Sequence, residues 1–168
     1  MKQPQLNKIV LPRFPTHIER TNNKIKQNTF FKINNQAIYN GSLTKFSRGI
    51  VISNMHNWIL SEFGKHTIEH IDCPVKLYLR IYTVKNHNMI RRLRGAVRWK
   101  PPEPNYVVNW DEDNLRAIWE KCIKDCLSKA GAWPDDTAYY CRGVDSEICF
   151  VNELDERSIE LWMEKVVR

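Results

Sequence analysis

CPVKLYLRIYTV (residues 73–84) alternates apolar and polar side chains along most of its length. Its apolar residues recur at every second position: Val75, Leu77, Leu79 and Ile81. Because successive side chains of a strand point to opposite faces of a sheet, this pattern predicts a β-strand with one buried face. LNKIVLP (residues 6–12) predicts a further strand near the start of the sequence.

Two segments on either side of this strand have the spacing of amphipathic helices. FSRGIVISNMHNWILSEFG (residues 46–64) carries apolar residues at helical spacing and ends on a glycine. The downstream segment is the clearest helix in the sequence, with a period of 3.6 residues. Its apolar residues form one stripe: Leu115, Ile118, Trp119, Cys122, Ile123, Cys126, Leu127 and Ala130. Gly131 predicts its end, because glycine commonly follows the last turn of a helix.

The rest of the chain gives weaker signals. Residues 13–45 predict an irregular arm, with a short hairpin around Asn34 and Asn35. TAYYCRGVDSEICFV (residues 137–151) predicts a strand-rich or hairpin region, and DERSIELWMEKVV (residues 155–167) predicts a closing amphipathic helix.

This order of elements predicts an α+β fold, a single compact domain in which a mixed sheet is packed by two or three helices. We expect residues 1–45 to form an N-terminal strand and an irregular arm, and residues 46–168 to form the core. NYVVNW (residues 105–110) predicts a short strand that leads into the second helix, after a PPEP connector that disfavours helix.

Composition narrows the class of protein. The chain has 168 residues, of which 42% are hydrophobic, which suffices for one core. No apolar run approaches the roughly 18 residues of a membrane span, and MKQPQLNK lacks the apolar region of a signal peptide. Five cysteines, an odd number, predict reduced thiols and a cytoplasmic location.

Charge is unevenly distributed along the chain. Residues 1–100 hold 18 Lys and Arg against 4 Asp and Glu, whereas residues 101–168 hold 8 against 15. No acidic residue occurs between Val75 and Pro102, where eight basic residues accumulate. A basic region of this kind favours a polyanionic partner, and a solvated basic loop is the alternative.

Two acidic clusters flank the second predicted helix. DEDN (residues 111–114) opens it, and Asp135 and Asp136 follow its end. Converging carboxylates are the ligands that Mg²⁺ prefers, and such a site can hydrolyse a phosphodiester. Acidic residues are also common helix caps that interact well with the helix dipole. The residues alone leave both interpretations open, a metal site and a helix cap.

The combined pattern DEDNL…KCIKDCLSKAGAWPDD resembles the RusA family of Holliday-junction resolvases, phage-derived endonucleases that cut four-way DNA junctions. The family signature is an Asp-apolar-Asp-Asn element that opens a helix, a D-A-L…G helix end and a W/Y-x-D-D turn. The matching residues are Asp111, Asp113, Asn114, Asp125, Leu127, Gly131, Trp133, Asp135 and Asp136. The resemblance includes the strand at 73–84 and covers roughly residues 70–142.

The resemblance implies a set of roles. Asp111, Asp113 and Asp136 are expected to hold Mg²⁺, or Mn²⁺ in its place, with Asp135 in support. Lys121, the helix lysine four residues before the D-A-L aspartate, is expected to contact the scissile phosphate. The residues expected to contact DNA are Arg91, Arg92, Arg94, Arg98, Lys100 and Arg116. The implied protein is a homodimer that cuts four-way junctions in the cytoplasm of a bacterium or of a phage's bacterial host.

The chain departs from the family pattern at three points, and the first is an N-terminal region of extra length without an obvious family counterpart. The segment between DEDN and the D-x-L element is four residues longer than usual, so Arg116 rivals Lys121 as the phosphate contact. Glu112 replaces the apolar residue between the two aspartates. Two alternatives to the resolvase are a non-catalytic branched-DNA-binding protein with this fold and a metal nuclease for flaps or other branched substrates.

Overall fold

The computed structural model describes residues 8–15, 17–22, 27–33, 38, 44–84, 112–134 and 139–166. The predicted basic segment at 85–100, the PPEP connector and the predicted strand at 105–110 lie outside the described residues.

A four-stranded mixed sheet forms the centre of the fold. Numbered in chain order, its strands are β1 (Ile9–Pro12), β4 (Val75–Val84), β5 (Cys141–Val151) and β6 (Ser158–Lys165). The spatial order is β1-β6-β4-β5, with β4 and β5 parallel and the other two pairings antiparallel. The strands predicted at residues 6–12 and 73–84 are therefore confirmed.

The buried face predicted for β4 is also confirmed. Its four alternating apolar residues are at most 1% exposed: Val75, Leu77, Leu79 and Ile81. β5 continues unbroken to Val151, so the region predicted as strand-rich or hairpin is one long strand rather than a hairpin. Because β4 and β5 are parallel, the chain must cross over between them, and a helix lies on that crossover.

The closing helix predicted for residues 155–167 is wrong, since this segment forms a 3₁₀ turn (Leu154–Glu156) followed by β6. Ile159, Leu161 and Met163 alternate into the core. The helix was predicted because Trp162 is also apolar, so the apolar residues of this segment fit a helical period as well as an alternating one. Trp162 instead stacks on Tyr78 across the opposite face, with ring centroids 5.3 Å apart and planes 4° apart.

A separate two-stranded hairpin precedes the helices. Its strands, β2 (His17–Asn22) and β3 (Gln27–Lys32), pair antiparallel. The hairpin predicted around Asn34 and Asn35 lies outside the described residues, and Phe30 and Phe31 of the same segment belong to β3.

Two helices cover the same face of the sheet, and both match the predictions. They are α1 (Lys45–Phe63) and α2 (Glu112–Lys129). Trp119 of α2 is fully buried, with Phe14 and Trp58 packed edge-on at centroid distances of 5.3 and 5.8 Å. The predicted α+β class is confirmed. Among the described residues, neither helix is long and apolar enough to cross a membrane.

Candidate functional site

The helix α2 begins directly after Asp111 and carries Asp113 in its first turn. Its orientation is set by its apolar stripe, because Leu115, Ile118 and Trp119 are fully buried in the core. The opposite flank of the helix is consequently turned towards β5 and solvent. DEDN thus opens a helix, as the sequence predicts.

An open groove of about 380 Å³ lies between the first half of α2 and the middle of β5. Its walls are formed by Arg116, Ala117, Glu120, Val144, Asp145 and Ser146. Asp113 precedes Ala117 by four positions, so its backbone lies one helical turn from the groove on the same side of α2. The groove therefore lies close to the start of the helix.

Hydrogen bonds tie the two walls of the groove together. Arg116 Nη1 donates to the Ser146 carbonyl oxygen at 3.3 Å, and the Ser146 hydroxyl donates to the Glu120 carboxylate. On β5, Asp145 accepts a hydrogen bond from Lys76 Nζ at 2.9 Å, which raises the pKa of Lys76. The hydrogen bond to Ser146 holds the Arg116 side chain at the wall of the groove.

Lys121 lies on a different side of α2 from Arg116. Five positions separate the two residues, which corresponds to about 140° around the helix. Lys121 is exposed and lies towards α1, where its charge acts on His56. Of the two predicted phosphate contacts, only Arg116 lines the groove.

Asp125, the aspartate of the D-x-L element, lies between the two helices. Its Oδ2 is 3.5 Å from His56 Nε2 of α1, and Lys129 Nζ is 2.8 Å from His56 Nδ1. Burial lowers the pKa of His56, the charges of Lys129 and Lys121 lower it further, and Asp125 opposes them. The His56 ring thus lies between Asp125 and Lys129 where α1 meets α2.

The chain leaves α2 through a tight stop. Gly131 adopts a left-handed φ of 82°, Ala132 N–H donates to the Leu127 carbonyl at 2.9 Å, and Trp133 is buried. The Ala132 carbonyl in turn accepts from Ile71 N–H at 2.7 Å, which anchors the turn in front of β4. The helix stop predicted at Gly131 is confirmed.

The structure describes only one of the predicted metal-binding residues. Asp111, Asp135 and Asp136 lie outside the described residues, as do Arg91, Arg92, Arg94, Arg98 and Lys100, and Asp113 is described for its backbone alone. An 18-residue helix is about 27 Å long, and the two acidic clusters adjoin its opposite ends in the sequence. Within the described ranges, no group of three His, Cys, Asp or Glu side chains is placed to hold a metal ion.

Sequence reasoning missed three residues that shape this region: His56, Glu120 and Ser146. Their roles depend on contacts between elements that are far apart in the chain, such as the 70-residue separation of Cys126 from the His56 carbonyl that it contacts. No spacing within a single segment signals contacts of this kind.

No protein-family model matches the chain, and no curated protein matches its sequence.

Proposed function

We propose that this protein is a metal-dependent endonuclease that resolves four-way DNA junctions by paired, symmetric nicks. The observation that carries the proposal is the form of α2. Asp113 lies in its first turn, Arg116 lines a groove one turn further on, and Gly131 ends it in a left-handed conformation. A helix of this kind is what the DEDN…D-x-L…G pattern requires.

Four carboxylates would form the metal site: Asp111, Asp113 and Asp136 as ligands and Asp135 in support. This site requires the chain after Gly131 to bring Asp136 back from the end of α2 towards its start. This donor set is made of hard oxygen atoms, which suit Mg²⁺ and Mn²⁺. A divalent ion bound there supplies Lewis-acid stabilisation of a phosphodiester and lowers the pKa of water. The carboxylates fix the position of that ion.

Arg116 is our candidate for contacting the scissile phosphate, in preference to Lys121. Arg116 lines the groove one turn from Asp113, whereas Lys121 lies towards His56 on α1. A guanidinium suits this role because its planar fork matches phosphate geometry. Replacement of Arg116 is therefore expected to slow cutting more than replacement of Lys121.

The basic segment of residues 85–100 is proposed to hold the junction arms, through Arg91, Arg92, Arg94, Arg98 and Lys100. A four-way junction is nearly two-fold symmetric, so two matched nicks favour a homodimer. Action on such DNA, together with reduced thiols, supports the cytoplasm of a bacterium, or of a phage's host, as the location. All five cysteines are free in the structure.

A labelled synthetic four-way junction and a linear duplex of matched sequence test the proposal. Each is incubated with purified protein, with and without Mg²⁺, beside Asp113→Asn and Asp136→Asn. We expect paired nicks in the junction only, dependent on metal, and retained binding without cutting in both variants.

Other outcomes point to the alternatives. Tight junction binding with no cutting under Mg²⁺ or Mn²⁺ identifies a non-catalytic branched-DNA-binding protein. Cutting of flaps or duplex as well identifies a broader metal nuclease. Wild-type rates in either aspartate variant show that the metal-ligand assignment is wrong.

A further inference from the structure

A pair of tyrosines stands at the entrance to β5, three residues after Asp136 in the sequence. The Tyr140 carbonyl accepts a hydrogen bond from Val75 N–H at 2.7 Å, and the Tyr140 side chain is partly buried against the core. The Tyr139 ring meets that of Tyr140 edge-on, with centroids 4.9 Å apart and planes at 88°, and Tyr139 is 49% exposed. Tyr139 is thus held on an anchored neighbour while much of its ring faces solvent.

A β-bulge directs a cation to this ring. Val75 pairs with Cys141 and Lys76 pairs with Gly143, so Arg142 is the extra residue on β5. Bulges redirect side chains and are frequent next to functional sites. Here the Arg142 guanidinium carbon lies 5.9 Å from the Tyr139 ring centroid, and Arg142 is exposed.

Two lysines lie at the same end of the sheet as the tyrosine pair. Lys165 of β6 is aligned with Val75, which is aligned with Cys141, so a lysine ends the same row of the sheet. Lys124 of α2 is close enough to Cys141 to act on the pKa of its thiol, which burial raises and Lys124 lowers. This end of the sheet therefore carries the exposed ring of Tyr139 and three cationic side chains: Arg142, Lys165 and Lys124.

We infer that Tyr139 and Arg142 form a platform for an unpaired nucleotide of branched DNA, on which Tyr139 stacks with the base and Arg142 contacts its phosphate. Aromatic rings beside basic side chains are the general means by which proteins hold single-stranded nucleic acid. The inference rests on the proposed function and adds the contact that distinguishes a branch point, where bases are unstacked, from a continuous duplex.

Binding without metal tests the platform independently of cutting. Fluorescence anisotropy in EDTA is used to measure Kd for a labelled four-way junction with wild-type protein, Tyr139→Ala and Tyr139→Phe. Loss of one base stack is expected to raise Kd about tenfold in Tyr139→Ala, while Tyr139→Phe keeps the ring and stays within about twofold. A junction with 2-aminopurine at its centre reports the stack directly, and quenching is expected with the wild type and Tyr139→Phe only.

Arg142 has a matched control. Arg142→Gln and Arg13→Gln each remove one positive charge, and Arg13 is an exposed arginine at the opposite end of the sheet, 3.7 Å from Asp155. We expect Arg142→Gln to weaken junction binding at least threefold more than Arg13→Gln, because only Arg142→Gln removes a phosphate contact. Equal effects show that Arg142 acts only through net charge and overturn its role.

The failures of the two proposals are distinguishable. Wild-type Kd and quenching in Tyr139→Ala overturn the platform even if the protein resolves junctions. A protein that binds junctions but never cuts them contradicts the endonuclease and leaves the platform to be decided by the same EDTA measurements. Binding to neither a junction nor an oligothymidine single strand overturns both.

Discussion

His56 lies where α1 and α2 meet, with its Nδ1 2.8 Å from Lys129 Nζ. Because an ammonium group only donates, this contact requires an unprotonated Nδ1. Burial is the largest cause of the lowered pKa of His56, and Lys129 adds to it. A neutral imidazole is thus part of the helix–helix contact.

The lowered pKa of His56 predicts a loss of stability on mild acidification. Above the unfolded-state pKa, about 6.5, neither state binds the proton, and the contact stabilises fully. As the pH falls from there towards the lower native pKa, the unfolded state binds more protons and the free energy of unfolding decreases. Urea unfolding at a series of pH values is expected to show this decrease in the wild type and a smaller one in His56→Gln. Equal slopes in the two proteins exclude the role of His56.

Trp119 gives the strongest single-residue prediction of stability. Its side chain is fully buried between Phe14 and Trp58. Trp119→Ala is expected to lower the free energy of unfolding by about 3–5 kcal/mol, through lost burial and the cavity that remains. Tyr139→Ala, at a half-exposed tyrosine, serves as the control and is expected to cost less than about 1 kcal/mol. A similar loss in both variants contradicts the buried position of Trp119.

The candidate site was only partly predictable from its residues. The carboxylates and the helix that connects them were visible because residue type and spacing lie within one segment. The groove was not, since Arg116 reaches Ser146 across 30 positions and the contact depends on where β5 lies. The preference for Arg116 over Lys121 likewise depends on where α1 lies, because Lys121 lies towards that helix and not towards the groove.

At the scale of elements, local sequence pattern determines some helices and strands, whereas others are determined by their pairing in the sheet. β4 and both helices were predictable because burial imposes one period on each of them. β6 was not, because Trp162 lets its sequence fit both periods, and only pairing with β1 and β4 decides between them. The pairing of β2 with β3 was not predicted either, since these strands lack a clear alternating pattern.

The stop of α2 yields a prediction for a single element. Gly131 has φ 82°, and a Cβ added there meets nothing within 4 Å, so any cost of Gly131→Ala is conformational. We expect a loss of about 1–2 kcal/mol in the free energy of unfolding. Gly143→Ala also meets no atom within 4 Å and has no positive φ, so it is expected to be neutral or slightly stabilising. Chemical denaturation of both variants measures the difference, and equal stabilities contradict the left-handed stop.

At the scale of the whole molecule, charge asymmetry predicts a steep dependence of binding on salt. Residues 1–100 hold 18 basic against 4 acidic side chains. Junction affinity is expected to fall linearly with the logarithm of salt concentration, with a slope of about 0.9 per phosphate contact. Replacing Arg91 and Arg92 by Gln is expected to reduce the slope by about 2. Anisotropy titrations over a range of salt measure it, and an unchanged slope removes both residues from the DNA-binding surface.

The position of β6 between β1 and β4 governs the order in which the molecule can assemble. Ile9 is aligned with Leu161, and Leu79 is aligned with Leu161 from the other side. During synthesis, β1 and β4 therefore emerge long before the strand that joins them. The edges of β1 and β4 that face β6 stay unpaired until Ser158–Lys165 has been made. Contacts between residues so distant in sequence slow folding, and unpaired edges invite association with other chains. Nascent chains that stop short of β6 should therefore depend on chaperones, whereas complete chains should not.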